Sequence, residues 1–486
     1  MEQEYKICPR CSIEVNANSQ ICRKCLYNLR NVSVMKRVNN EQNKTFVDKA
    51  TRLKDQSNFL RKRFLFLTAI SIYFIIFIFG HLLYVTKYRI VPPLPTGSTA
   101  IAVISDGASW PSEYGQSTGM RSLNKNFDLN GNVLWEHQMK LPKLFNMKGL
   151  STNIIGNKNF IIYALVNGEL NAISKETGQL VWTKKVPGLL DSTPIIIEDK
   201  VYFPQRDGIM NAVEIATGRT VWQTATDDVF LTGISIVDGV IYANSLNSMY
   251  FFDVNNGDLI WSKKIQNLNE FPATAVSANN EILIISTSSI LVHIDRKTGE
   301  ILHRHRTSWV EHTYTEGDNF YVFAKNEVGS ISKEARGYWW DKIPTLRFIW
   351  GQLMGWNMAP IIPRDDNNWI TSLGKGSLRR TITHLKIPAV NKTSIFTAHY
   401  DGSIKSIDKT TGTFNWQVDY DNTVTDPIIT KSGLVLGIGN DLVTLDTDTG
   451  KEVNRIGINR GKLNQIAIID NELIAVIDDR IIINID

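Results

Sequence analysis

Cysteine is almost absent from this chain of 486 residues: there are four, all before residue 26. Everything after Cys25 can therefore form no disulfide and offers no thiol nucleophile. Histidine is scarce, with eight copies. No Ser/His/Asp set, glycine-rich phosphate loop or pair of catalytic carboxylates can be placed, so no catalytic residue is assigned. A basic stripe is also missing from the large C-terminal part. Residues 1–63 hold 14 Lys/Arg against 6 Asp/Glu, residues 64–86 hold no charge, and the rest carries a net −3 of the overall +5. Nucleic acid is not expected as a partner.

What the chain does contain begins with its cysteines. Cys8 and Cys11 (CPRC) and Cys22 and Cys25 (CRKC) form two Cys-x-x-Cys knuckles, each able to aim two thiolates at one ion. Together they predict a closed, tetrahedral, structural zinc site, with two disulfides or free thiols as the alternatives. The stretch 1–30 resembles short zinc ribbons at the N-termini of many prokaryotic membrane proteins, with Ser12 and Leu26 where glycine usually follows each pair. A polar, basic linker, partly helical, is expected over 31–63.

Residues 64–86, FLFLTAISIYFIIFIFGHLLYVT, are long enough and apolar enough to predict one transmembrane helix. Lys49, Arg52, Lys54, Arg61, Lys62 and Arg63 precede it, whereas only Lys87 and Arg89 follow closely. That bias predicts a cytoplasmic N-terminus and an exported C-terminal domain, anchored in the cell membrane by a single pass. The thiolates then lie on the reducing side. The proline-bearing stretch 87–99 reads as a stiff stalk.

The rest is organised by a repeat. AISKETGQLVW (Ala172–Trp182) returns in copies ending at Trp222, Trp261, His303, Trp416 and Asn454. The turn glycines Gly178, Gly218, Gly257, Gly299, Gly412 and Gly450 are spaced by 40, 39, 42, 113 and 38 residues. A period near 40 in a strand–turn–strand pattern fits four short strands, the size of one propeller blade. The acid four before most of these glycines is placed to accept turn amides. The Trp four after is expected on an outer strand, covering the gap between neighbouring blades. FDLNGNVLW (Phe127–Trp135) adds one element, and SISKEARGYWW (Ser330–Trp340) adds another if its glycine slips by one, giving a blade end at Trp340. Eight blades over 100–486 are expected, with seven or nine as alternatives. Strands of residues 455–486 would pair with N-terminal strands to close the ring.

These repeats resemble the pyrroloquinoline-quinone (PQQ)-like β-propeller family. That resemblance implies an all-β propeller, and the family includes quinoprotein alcohol dehydrogenases as well as a non-catalytic scaffold lipoprotein of bacterial outer-membrane assembly. The dehydrogenases clamp their quinone with a vicinal disulfide and a Trp beside a calcium. This domain has no cysteine and no calcium set that maps onto its residues, so PQQ is not expected and no cofactor-binding residue is assigned. Two other stretches stand out. His303–Arg306 (HRHR), with His312 nearby, puts two imidazoles on one strand face, most simply a solvated strand. Residues 341–358 interrupt the repeat, and Trp339, Trp340, Trp350 and Trp356 offer either rim packing or a docking surface for a membrane or protein partner. The expectation is a non-enzymatic, membrane-integral propeller that binds a protein or surface ligand. A receptor sensing an external ligand and a quinoprotein-type oxidoreductase remain the other readings.

Overall fold

The computed structural model describes residues 3–37, 58–78, 110–115, 120–127, 130–141, 150–245, 248–264, 277–278, 282–286, 290–295, 301–306, 310–316, 319–324, 327–332, 367–373 and 385–486. Contacts divide the chain into two compact units, Met1–Lys87 and Tyr88–Asp486.

In the first unit, strand Gln3–Ile7 sits between Glu14–Asn16 and Met35–Arg37 in an antiparallel sheet. This sheet reaches Arg37, past residue 30, where the sequence predicts the ribbon to end. A helix covers residues 58–78. No helix among the described residues is long and apolar enough to cross a membrane. The charge-free part of this helix is 64–78, about 22 Å at 1.5 Å per residue against a bilayer core of about 30 Å. Residues 79–86 of the expected span lie outside the described residues.

In the second unit the described residues form eight four-stranded antiparallel sheets, in the manner of a β-propeller. Their middle strands read as continuous buried runs, as in Phe160–Leu165 and Val240–Ser245, whereas fourth strands such as Leu180–Lys185 and Phe414–Asp419 alternate exposed and half-buried. First strands of neighbouring sheets lie against one another, which puts them innermost. Seven sheets follow chain order. The eighth joins Leu463–Ile469, Glu472–Ile477 and Ile481–Ile485 to the early strand Val133–Gln138, with Asn484 opposite Trp135. The C-terminal strands therefore pair with an N-terminal one, as the sequence predicted.

The repeated residues meet between sheets. In five described turns the glycine holds a positive φ, and a side chain there would strike the indole of the preceding sheet's outer strand. A Cβ on Gly178 would lie 2.4 Å from Trp135, one on Gly218 2.8 Å from Trp182, and one on Gly412 2.5 Å from Trp369. Gly257 and Gly450 receive Trp222 and Trp416 in the same way. The indole N–H donates to the carbonyl three residues before the glycine: Trp135 to Lys175 (2.8 Å), Trp182 to Ile215 (2.8 Å), Trp369 to Lys409 (3.0 Å) and Trp416 to Thr447 (2.9 Å). The turn acids behave as expected. Asp408 accepts the amides of Thr411 (2.7 Å) and Thr410 (3.0 Å), which holds its carboxyl below the ordinary range.

One expected blade end is wrong. The fourth strand of the fifth sheet is Asn367–Ser372, in which Trp369 stands opposite Ser330 as Trp182 stands opposite Ala172. The outer-strand Trp is therefore Trp369, not Trp340. The interruption falls between the third strand, Glu327–Ser332, and the fourth strand of one sheet, where Trp369 makes the N–H bond and the glycine contact that define the position. Trp339, Trp340, Trp350 and Trp356 lie outside the described residues.

Candidate functional site

Two places gather chemistry-bearing side chains. The first is the cysteine cluster. Both knuckles close alike: Ser12 N–H donates to Cys8 O and Leu26 N–H to Cys22 O, each at 2.8 Å, with Ser12 and Leu26 at φ of 52° and 55°. These are the two positions where the ribbon pattern usually has glycine, so the left-handed backbone is kept despite a side chain. The sulfurs of Cys8 and Cys25 lie 3.4 Å apart, those of Cys11 and Cys22 3.5 Å apart, and all four fall within 4.8 Å. A disulfide needs about 2.05 Å. Four thiolates at about 2.3 Å from one ion stand about 3.8 Å apart, so the donor set fits a single tetrahedral metal. Backbone amides of Cys25 and Lys24 point at Cys22 and bring its thiol down to about 6, which favours the metal-binding thiolate.

The second place is the axis of the ring, and sequence reasoning assigned nothing to it. Residues 110–115 and 120–127, which precede the first blade strand, lie along the innermost strands. Trp110 exchanges backbone hydrogen bonds with Gly156 (2.7 and 2.9 Å), and Ile196 N–H donates to Pro111 O (2.8 Å). Val390 N–H donates to Met120 O, while Leu123 and Arg121 pair with Ile429. Arg121 is buried and spends its guanidinium on three carbonyls: Glu113 (2.7 Å), Pro427 (3.0 Å) and Ile466 (3.0 Å). It also stacks 4.9 Å from the centre of the Trp110 ring. With the Tyr114–His312 contact, six of the eight sheets touch this one segment.

Around it, register places Asn153, Thr193, His312, Asp426 and Gln465 at one position of five sheets. Each lies two residues before Ile155, Ile195, Tyr314, Ile428 or Ala467, the residues facing Ile162, Tyr202, Tyr321, Val435 and Ile474. Glu113 accepts from Thr193 (2.9 Å) and Asn153 (3.2 Å) through one carboxylate oxygen. Burial raises its carboxyl above the ordinary range, partly offset by those two bonds. Burial also pushes His312 down to about 4, leaving its ring neutral beside Tyr114.

His312 thus belongs to the axis, beside Tyr114, whereas the side chains of HRHR lie outside the described residues. The axial segment carries no signature that the sequence could betray. Its partners are backbone carbonyls up to 345 residues away. A quinone at the axis does not fit these residues, because Trp110, Met120, Leu123 and Phe127 are buried there and the polar groups are satisfied by one another.

A family model described as outer membrane protein assembly factor BamB matches residues 121–341. The BamB of Shewanella oneidensis is 23% identical over 225 residues, 43% of this chain and 52% of that protein. The chain thus spans about half the length of that curated relative. Among solved structures, BamB from Moraxella catarrhalis superposes with a TM-score of 0.51 at 13% identity, covering 73% of this chain and 99% of that one. A quinohemoprotein alcohol dehydrogenase from Pseudomonas putida gives 0.55 at 12% identity, covering 82% of each. These likenesses show the fold, a PQQ-like and BamB-type β-propeller.

Glu113 gives this site a pH signature. A carboxyl raised in the folded state favours folding fully only below its ordinary pKa and loses that contribution as pH rises through the raised value. Glu113→Gln keeps an acceptor for Thr193 and Asn153 but removes the charge. Its thermal midpoint is expected to exceed the parent's at pH 8, with the difference closing as pH falls toward 4. An equal or lower midpoint at pH 8 would contradict the buried, charged assignment. His312 titrates in both proteins and cancels in the comparison.

Proposed function

We propose that this chain is a membrane-anchored scaffold: an eight-bladed propeller on the outer face of the cell membrane that binds a protein partner, tied to a cytoplasmic zinc ribbon. The observation that carries the reading is the match of residues 121–341 to a family described as an outer membrane protein assembly factor, on a ring whose repeated residues are engaged in packing blade on blade. The eight sheets are taken as eight blades, closed where Val133–Gln138 joins the last three strands.

Anchoring is supported by helix 58–78. Phe64 to Leu67 and Ile72 to Ile76 are each more than half exposed, an apolar surface all round that suits lipid and not water. The cations before residue 64 orient it with the N-terminus inside. The match to this family gives no support to catalysis, and an interaction platform uses the ring's outer surface.

The scaffold reading is tested by placing a photoreactive residue at the exposed outer-strand positions Leu180, Val221 or Phe414 of the full chain in cells. Adducts with a protein of the cell envelope are expected from at least one position. Adducts with cytoplasmic proteins alone, or none above a buried control at Phe396, would overturn it.

Cys8, Cys11, Cys22 and Cys25 would hold one zinc per chain, and the metal would supply the fold of a ribbon whose core is otherwise Leu29 and little else. Metal analysis of the purified chain is expected to find one equivalent, lost in Cys22→Ser, with the propeller's thermal midpoint unchanged. A parent without bound zinc would contradict the assignment.

A further inference from the structure

A ring of blades leaves a gap along its axis, which must hold water, a ligand or chain. Here it holds chain. We infer that the two described stretches 110–115 and 120–127 are a built-in ligand of the ring, occupying the axial site in place of any small molecule. On the propeller reading above, partners then meet this protein at its loops and outer strands, and nothing is bound along the axis.

Three features support this. The segment is tied in by backbone hydrogen bonds to first strands of the first, second, sixth and seventh sheets, at Gly156, Ile196, Val390 and Ile429. Those are the bonds of an added strand, formed without regard to side chain. Its polar groups are matched as a ligand's would be: one carboxylate for Thr193 and Asn153, one guanidinium for the carbonyls of Pro427 and Ile466. Its apolar groups are buried to the same degree as the core, with Trp110 at 1% exposure and Leu123 at 4%. Gly115, at φ 78°, lets the backbone fold over the Trp110 ring, where a Cβ would come within 3.0 Å. Arg121 joins both halves of the segment, since it bonds Glu113 O and lies against Trp110 while its own carbonyl accepts from Ile429.

The chain's four cysteines are all in the other unit, so no thiol pair stands beside this segment.

Hydrogen exchange on the full-length protein tests this directly, because four strand amides (Gly156, Ile196, Val390 and Ile429) donate to carbonyls of the segment. They are expected to be as protected as the second-strand amides beside them. In Arg121→Met the amides of Leu123, Ile429 and Val390 are expected to exchange at least about tenfold faster, with outer strands unchanged. In the parent, adding PQQ with calcium is expected to leave protein fluorescence and these rates as they were. Unprotected axial amides in a parent whose sheets stay protected would overturn the inference, as would stoichiometric uptake of the quinone. Should Arg121→Met fail to fold, the exchange of the parent alone still decides. Seating is read without any partner, so this result and the photo-crosslinking can fail independently.

Discussion

The second unit depends on one contact repeated around it, an indole lying flat on a glycine turn of the next sheet. A four-stranded sheet cannot bury both faces alone, and its outermost strand is the least covered part. The Trp third along this strand buries its ring on Gly178, Gly218, Gly257, Gly412 or Gly450, while its N–H satisfies a carbonyl that the turn would otherwise leave bare. Contact and hydrogen bond together fix both distance and angle between neighbouring blades. Only glycine permits it, because the turn needs a positive φ and the ring occupies the place of a Cβ. Where a Trp is lacking, other means appear. Between the seventh and eighth sheets Asn454 stands in the Trp position, and Ile456 covers Gly131 instead. At the other side of the closing sheet, a buried Lys175 reaches Glu472 at 2.6 Å beside the Trp135 contact.

These contacts explain what the sequence made visible. Glycine and Trp of one strand–turn–strand unit lie four residues apart, so the pattern survives in a linear reading even though the partners come from successive units. Cys8, Cys11, Cys22 and Cys25 were legible for the same reason, since knuckle geometry is local. Trp369 was missed because 34 residues, 333–366, separate its strand from the one it pairs with, and no glycine stands four before it. The nearer Trp340 took its place. Nothing announced the axial segment. Arg121 and Glu113 look like ordinary surface charges in sequence, and beyond their bond to each other their partners are an amide, a hydroxyl and carbonyls supplied from 40 to 345 residues away.

A filled axis and a closed circumference point function in the same direction. Among the described residues at the centre, Glu113 is held by Thr193 and Asn153, Arg121 by three carbonyls, and His312 stands as a neutral ring beside Tyr114. What remains available is surface, including the apolar residues Leu180, Val221 and Phe414 exposed on outer strands. On the proposed reading, a rigid ring offering such edges suits recognition of other proteins, and the charge-free part of the helix, residues 64–78, suits holding it at a membrane.

The claim that glycine turns and indoles make the repeat a ring is tested most directly by thermal unfolding of Gly218→Ala beside Gly457→Ala in the full chain. At Gly218 φ is +69° and the new Cβ would lie 2.8 Å from the Trp182 ring, whereas at Gly457 the nearest atom is 3.5 Å away in ordinary contact. The account expects Gly218→Ala to cost about 2–4 kcal/mol, from the left-handed backbone and the displaced ring together, and Gly457→Ala to stay within about 0.5 kcal/mol of the parent. Equal midpoints for both variants and the parent would contradict it.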